Sequence, residues 1–132
     1  MSTFTFYNPQ VNLYVKDVAE SVQFYINNFG FIETFRTPKS GNPVHVELKL
    51  DQFILGLALI SAAEDMHGLK VGTGLPKCEI VVWTQDVDIA YKALLEKGVP
   101  SISEPHTFLN TLRSAWIADP DGNLVQIVSK IE

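Results

Sequence analysis

What this chain has little of narrows its class first. Cys78 is the one cysteine among 132 residues, so no disulfide can close within the chain, and a reducing compartment suits it. Basic side chains are also few: 10 Lys and Arg stand against 15 Asp and Glu, a formal net charge of -5. That balance argues against nucleic acid, whose phosphates need a basic face, and no glycine-rich loop of the phosphate-cradling kind is present. Long apolar runs are missing too. The longest, FILGLALI, is far too short to span a bilayer, and neither a signal peptide nor a low-complexity tract is visible. The expectation is a soluble, cytoplasmic protein with no membrane or nucleic-acid partner. Cys78 itself reads as a small buried or half-buried side chain rather than a nucleophile.

What the sequence does contain is one pattern written twice. VNLYVKD alternates apolar and polar residues as a half-buried strand does, and VAESVQFYINNFG then spaces its apolar residues as a helix does. Asp17 stands at the N-cap, with Glu20 placed to close a capping box, and Gly30 falls where a left-handed C-terminal residue is wanted. In the second copy IVVWTQD leads to Asp86 as cap. VDIAYKALLEKG follows, with Val87, Ala90, Tyr91 and Leu94 on one face and Gly98 as the stop.

The segments after each helix repeat as well. Beyond Gly30 come a short strand near Ile32 to Arg36, a Pro/Gly-rich break, and the strands VHVELKL and FILGLALI joined at Asp51 and Gln52. Beyond Gly98 come Ser101 to Ser103, a Pro-containing break placing His106 in a loop, then TLRSAWIAD and NLVQIV joined by Pro120-Asp121-Gly122, a strong hairpin signal. Each half therefore predicts strand, helix and three strands. A half of this size buries too little surface to be secure alone, so one domain over 1–132 is expected: module one about 8–60, a linker over 61–77 with His67 in it, and module two about 78–130.

This duplicated module, with the motifs NLYVKDVAESVQFYINNFGF, DVDIAYKALLEKGV and ADPDGNLVQIV, resembles the vicinal oxygen chelate superfamily: the glyoxalases, extradiol dioxygenases, methylmalonyl-CoA epimerase, and bleomycin and fosfomycin resistance proteins. The resemblance runs from Gln10 to Val128. It implies an α+β fold of two tandem βαβββ modules whose mixed sheet curves into a cup, with helices on the convex side and a ligand or metal inside. It also implies a homodimer, the usual assembly of small two-module members.

In the metal enzymes of that family four positions, on the first and last strands of each module, carry His or Glu. Here the matching positions are Gln10, Gly56 or Leu57, Glu79 and Gln126. Glu79 alone is an anionic donor, and amide oxygens are poor ligands for a transition metal. No catalytic metal and no other cofactor is expected at the usual location. The chemistry that such a metal supplies is then in doubt, and what remains is a cup for a small organic molecule, as in the antibiotic-sequestering members. The alternative is a metal-dependent lyase, isomerase or dioxygenase with atypical ligands drawn from Glu79, Glu47 and a histidine.

In the register that the resemblance implies, period-two alternation gives the expected lining of the cup. Gln10, Asn12, Tyr14 and Lys16 share one face of the first strand; His45, Glu47 and Lys49 share one face of VHVELKL; Glu79, Val81 and Trp83, then Leu124, Gln126 and Val128, line module two. Trp83, with Trp116 and Phe108, suits stacking on a flat ligand, or else these rings fill a seam or a subunit interface. His45 and Glu47 are either a base with its orienter, a pair of metal ligands, or solvated polar residues. Glu79 is open between a catalytic base, a seat for a cationic ligand, and a structural partner of a cation such as Lys49.

Overall fold

The alternation in VNLYV becomes β1 (Val11–Val15), with Leu13 and Val15 buried and Asn12 and Tyr14 turned outward. A computed structural model describes residues 5–72 and 74–131, so Thr73 of the expected linker lies outside the described residues. Asp17 caps α1 (Val18–Phe29) by accepting the Glu20 N–H at 3.1 Å, and Gly30 ends it at φ 79°, a left-handed conformation that only glycine adopts cheaply. β2 (Ile32–Thr37), β3 (His45–Leu50) and β4 (Phe53–Leu59) complete the module in the sheet order β1-β4-β3-β2. β1 runs parallel to β4, and the other pairs are antiparallel.

The second half repeats this plan in β5 (Glu79–Trp83), α3 (Val87–Glu96), β6 (Ser101–Phe108), β7 (Leu112–Ala118) and β8 (Leu124–Lys130), with α2 (Ile60–His67) coming before it. The order is β5-β8-β7-β6, the same topology strand for strand. Asp86 caps α3 by accepting the Ile89 N–H at 3.1 Å. The fold is thus α+β, two similar βαβββ modules, each a mixed sheet with a helix on one face. By contact the chain divides into two units, Met1–Gly72 and Thr73–Glu132.

In each unit one sheet face is apolar and packs on the helix. Leu13, Val15, Val46, Leu48, Leu55 and Leu57 meet Val18, Val22 and Tyr25 of α1 in the first; Ile80, Ala115, Ile117, Val125 and Ile127 meet Val87 and Leu94 of α3 in the second. Burying a side chain of this size contributes about 1.5 to 3 kcal/mol. The core thereby fixes strand register, because a one-residue slip would turn it toward solvent. The polar residues between are left on the opposite face.

Three expectations are corrected. The segment expected as linker holds α2, built on helix-forming Ala, Glu and Met and stopped by Gly68 at φ 66°, which places His67 in the last helical turn. Pro105 does not break the chain: it lies inside β6, within the register shift from Ser103 to His106, and β6 is an edge strand where proline's missing donor costs no ladder bond. Cys78 is exposed, because it precedes the first residue of β5 rather than entering the core.

Candidate functional site

On the outward face of the first sheet, polar side chains from β1 and β3 meet over β4. Glu47 Oε2 accepts from Gln10 Nε2 at 3.1 Å and pairs with His45 Nε2 at 3.2 Å; Gln10 Nε2 also donates to Asn12 Oδ1 at 2.9 Å. A carboxylate only accepts hydrogen bonds, so the donor in this pair is His45 Nε2. The imidazole and carboxylate are half-buried, at 23% and 28% side-chain exposure, so they are not simply solvated. Phe35 lies 6.2 Å from the His45 ring, centroid to centroid, and Tyr14 is across Ala58 from His45 in the ladder.

Gly56 makes this cluster possible. It sits in register between Asn12 and Glu47, and a Cβ there would overlap the Asn12 amide and approach His45 Cε1 to 3.1 Å. Gly56 is one of the two positions at which the sequence resemblance implies a metal ligand, and neighbouring side chains occupy the space beside it.

The outward face of the second sheet is more aromatic. Trp116 on β7 donates its indole N–H to Glu79 Oε2 on β5 at 2.5 Å, a bond that crosses the intervening strand β8. His106 stacks on the other side of that indole, with centroids 5.7 Å apart and planes 21° apart, and is itself held by the Glu104 carbonyl at 2.8 Å. Gln126 Nε2 donates to the buried Ser114 Oγ at 2.9 Å. Trp83 stands 59% exposed on the same strand as Glu79, and Val81 between them is 46% exposed. Phe108 shares this face, but at the β6–β7 hairpin end, opposite Leu112. Glu79 is exposed rather than walled by apolar groups.

Within the first unit Gln10, Asn12, His45 and Glu47 form one cluster, and within the second Glu79, Trp116 and Gln126 form another. Tyr14, Trp83 and Phe108 flank them. Sequence reasoning passed over Gly56 as a packing residue and His106 as a stacking partner. The signal for His106 was its place two residues before Phe108, which puts both on one strand face. The carboxyls held below their usual range lie outside both clusters: Arg36 hydrogen-bonds Glu33, and Arg113 grips Asp88 with two bonds at 2.6 and 2.8 Å.

A resident transition metal does not fit these donors. Such a site needs three or four imidazole, thiolate or carboxylate ligands converging on one point. At the family positions stand two glutamines, a glycine and one glutamate already bonded to an indole. Among the described residues no three His, Cys, Asp or Glu side chains are grouped to hold an ion. Nor, among the described residues, is any helix long and apolar enough to cross a membrane.

Solved structures with this fold are numerous. A glyoxalase/bleomycin resistance protein/dioxygenase family enzyme from Burkholderia phytofirmans PsJN superposes with TM-score 0.80 at 22% identity, over 92% of this chain and 97% of its own. A superfamily member from Sphaerobacter thermophilus DSM 20745 is 29% identical over 94% and 98%, with TM-score 0.71. Lactoylglutathione lyase from Agrobacterium tumefaciens gives TM-score 0.69 at 19% identity over 92% of each chain. No curated protein matches the sequence significantly. The family model described as Glyoxalase/Bleomycin resistance protein/Dioxygenase superfamily matches residues 9–127, nearly the whole duplicated chain, and it is to this superfamily that the protein belongs.

Proposed function

We propose that this chain is a binding protein of the bleomycin-resistance type, which holds a small organic molecule on an outward sheet face without a resident metal. One observation carries the reading: where the family's metal ligands would stand, Gln10, Gly56, Glu79 and Gln126 occur, and the polar groups around them are tied to one another. Side chains fixed in this way present a formed polar and aromatic surface, the kind on which a ligand is bound without reorganisation cost. The acidic charge and lone cysteine support a cytoplasmic setting away from nucleic acid, and the family's habit supports a homodimer.

The test is elemental analysis of protein purified without chelators or a metal-affinity tag, beside a thermal-shift scan with nickel, zinc, iron and manganese. Less than about a tenth of an equivalent of metal, and no shift, is expected; an ion at 100 times its Kd would add about 2.7 kcal/mol to the folded state and be plainly visible. One tightly held transition metal per chain would overturn the reading. The His45–Glu47 pair would then be the first place to seek an atypical ligand set for a lyase, isomerase or dioxygenase.

A further inference from the structure

We propose that the outward face of the second sheet takes an elongated organic cation, with its ammonium or guanidinium group at Glu79 and its apolar body lying along Val81 toward Trp83. The inference deepens the small-molecule reading above and rests on it.

The geometry is a strip with unlike ends. Glu79, Val81 and Trp83 alternate along β5 and face outward, while Ile80 between the first two is buried. From Glu79 to Trp83 is roughly 13 Å at the rise of a strand. Glu79 is turned toward β8 by the Trp116 N–H, a neutral donor that fixes one carboxylate oxygen without cancelling the charge. Among the described residues no Lys or Arg of its own unit forms an ion pair with it, in contrast to Asp88, which Arg113 neutralises. A carboxylate held in place by an indole N–H, at one end of an exposed strip that carries Val81 and Trp83, is a seat for a cation whose apolar body can lie over the Trp83 ring.

The opposite end sets direction. A hollow of about 610 Å³ beside Trp83 is lined by Thr84, Gln85 and Lys130. Lys130 repels a cation from that end, so a ligand carrying one positive group binds with that group at Glu79 and its flat or aliphatic part over the exposed Val81 and Trp83. Both tryptophans of the chain border the strip, which makes intrinsic fluorescence a direct readout.

The experiment compares 4-butylbenzylamine with its neutral counterpart 4-butylbenzyl alcohol by calorimetric and fluorescence titration of the full chain. The amine should bind at least about tenfold more tightly, the difference between a charge-assisted and a neutral hydrogen bond. In Glu79→Gln, which keeps an oxygen acceptor for Trp116, the amine should fall to the alcohol's affinity. Equal binding of amine and alcohol to the unaltered protein would overturn the cation inference and leave the small-molecule reading standing; this comparison needs no variant to fold. Failure of both compounds, with Trp83 shielded from acrylamide in a self-associated species, would assign the strip to a second copy of the chain and overturn both.

Discussion

Replacing Asp119 with alanine removes the acceptor around which the β7–β8 turn is wound. Asp119 is 3% exposed, and its Oδ1 takes the backbone N–H of Asp121 at 2.9 Å and of Asn123 at 2.8 Å, while Oδ2 takes the Asn123 side-chain amide at 3.0 Å. Truncation strands two backbone donors in half-buried surroundings. Charge-assisted bonds of this kind contribute about 1 to 1.5 kcal/mol each once water has partly replaced them, so the expected loss is about 2 to 3 kcal/mol. Asp119→Asn keeps one acceptor oxygen and should lose about half as much. Urea unfolding followed by ellipticity and tryptophan fluorescence reads the loss as a lower midpoint at unchanged slope. The turn also sets the rung Ala118–Leu124, from which the register runs to Trp116 opposite Gln126, so the folded variant should show an altered tryptophan spectrum. A loss below about 0.5 kcal/mol for the alanine variant, the range of an ordinary surface change, would refute this account of the turn.

Other perturbations probe other links. Leu57→Ala empties a fully buried site on β4 and should cost about 2 to 5 kcal/mol by urea midpoint; a smaller loss would mean that the sheet–helix core can collapse around the gap. Gly56→Ala should push the Asn12 amide away from its bond with Gln10 and crowd His45. The expected result is a stability loss of about 1 to 3 kcal/mol with the Gln10, Asn12 and His45 resonances shifted; unmoved resonances would show the glycine to be incidental. Arg113 holds the Asp88 carboxyl below its ordinary value. The pair's contribution is therefore present above the unfolded carboxyl's range and disappears as pH falls through the folded value. Arg113→Gln should thus lower stability slightly near neutral pH, less so in high salt, and leave it unchanged near pH ~2; an equal loss at both would assign Arg113 a packing role instead.

The duplicated architecture was legible because its signals are local. An Asp before α1 and before α3, a glycine after each of the two, and period-two strands between need no tertiary information, and Asp17, Asp86 and Gly30 do what their positions predicted. Residue parity likewise separated Leu13 and Val15 from Asn12 and Tyr14. What the sequence hid depended on neighbours across the sheet. The eight residues of α2 are too few to show periodicity against a glycine-containing background, and Pro105 looks like a breaker unless β6 is known to be an edge. The partnership of Glu47 with Gln10 and the bridge from Trp116 to Glu79 each join residues 37 positions apart. Such pairs follow from strand order, not from spacing along the chain.

The way the two modules finish their sheets bears on solubility. Duplicating an open four-stranded sheet duplicates its unpaired rims, and each rim is a template on which a foreign strand could grow. Both outer strands carry the same remedy: β2 breaks register between Glu33 and Phe35, and β6 does so on either side of Ser103, with Pro105 withholding a donor. Twisted and interrupted, these rims offer no long flat run to an incoming chain. The other edge of each sheet is a short strand, β1 or β5, of five residues. A protein that displays Val81 and Trp83 to solvent therefore keeps its edges poor in continuous pairing sites, so that an exposed apolar strip does not also become a seed for aggregation.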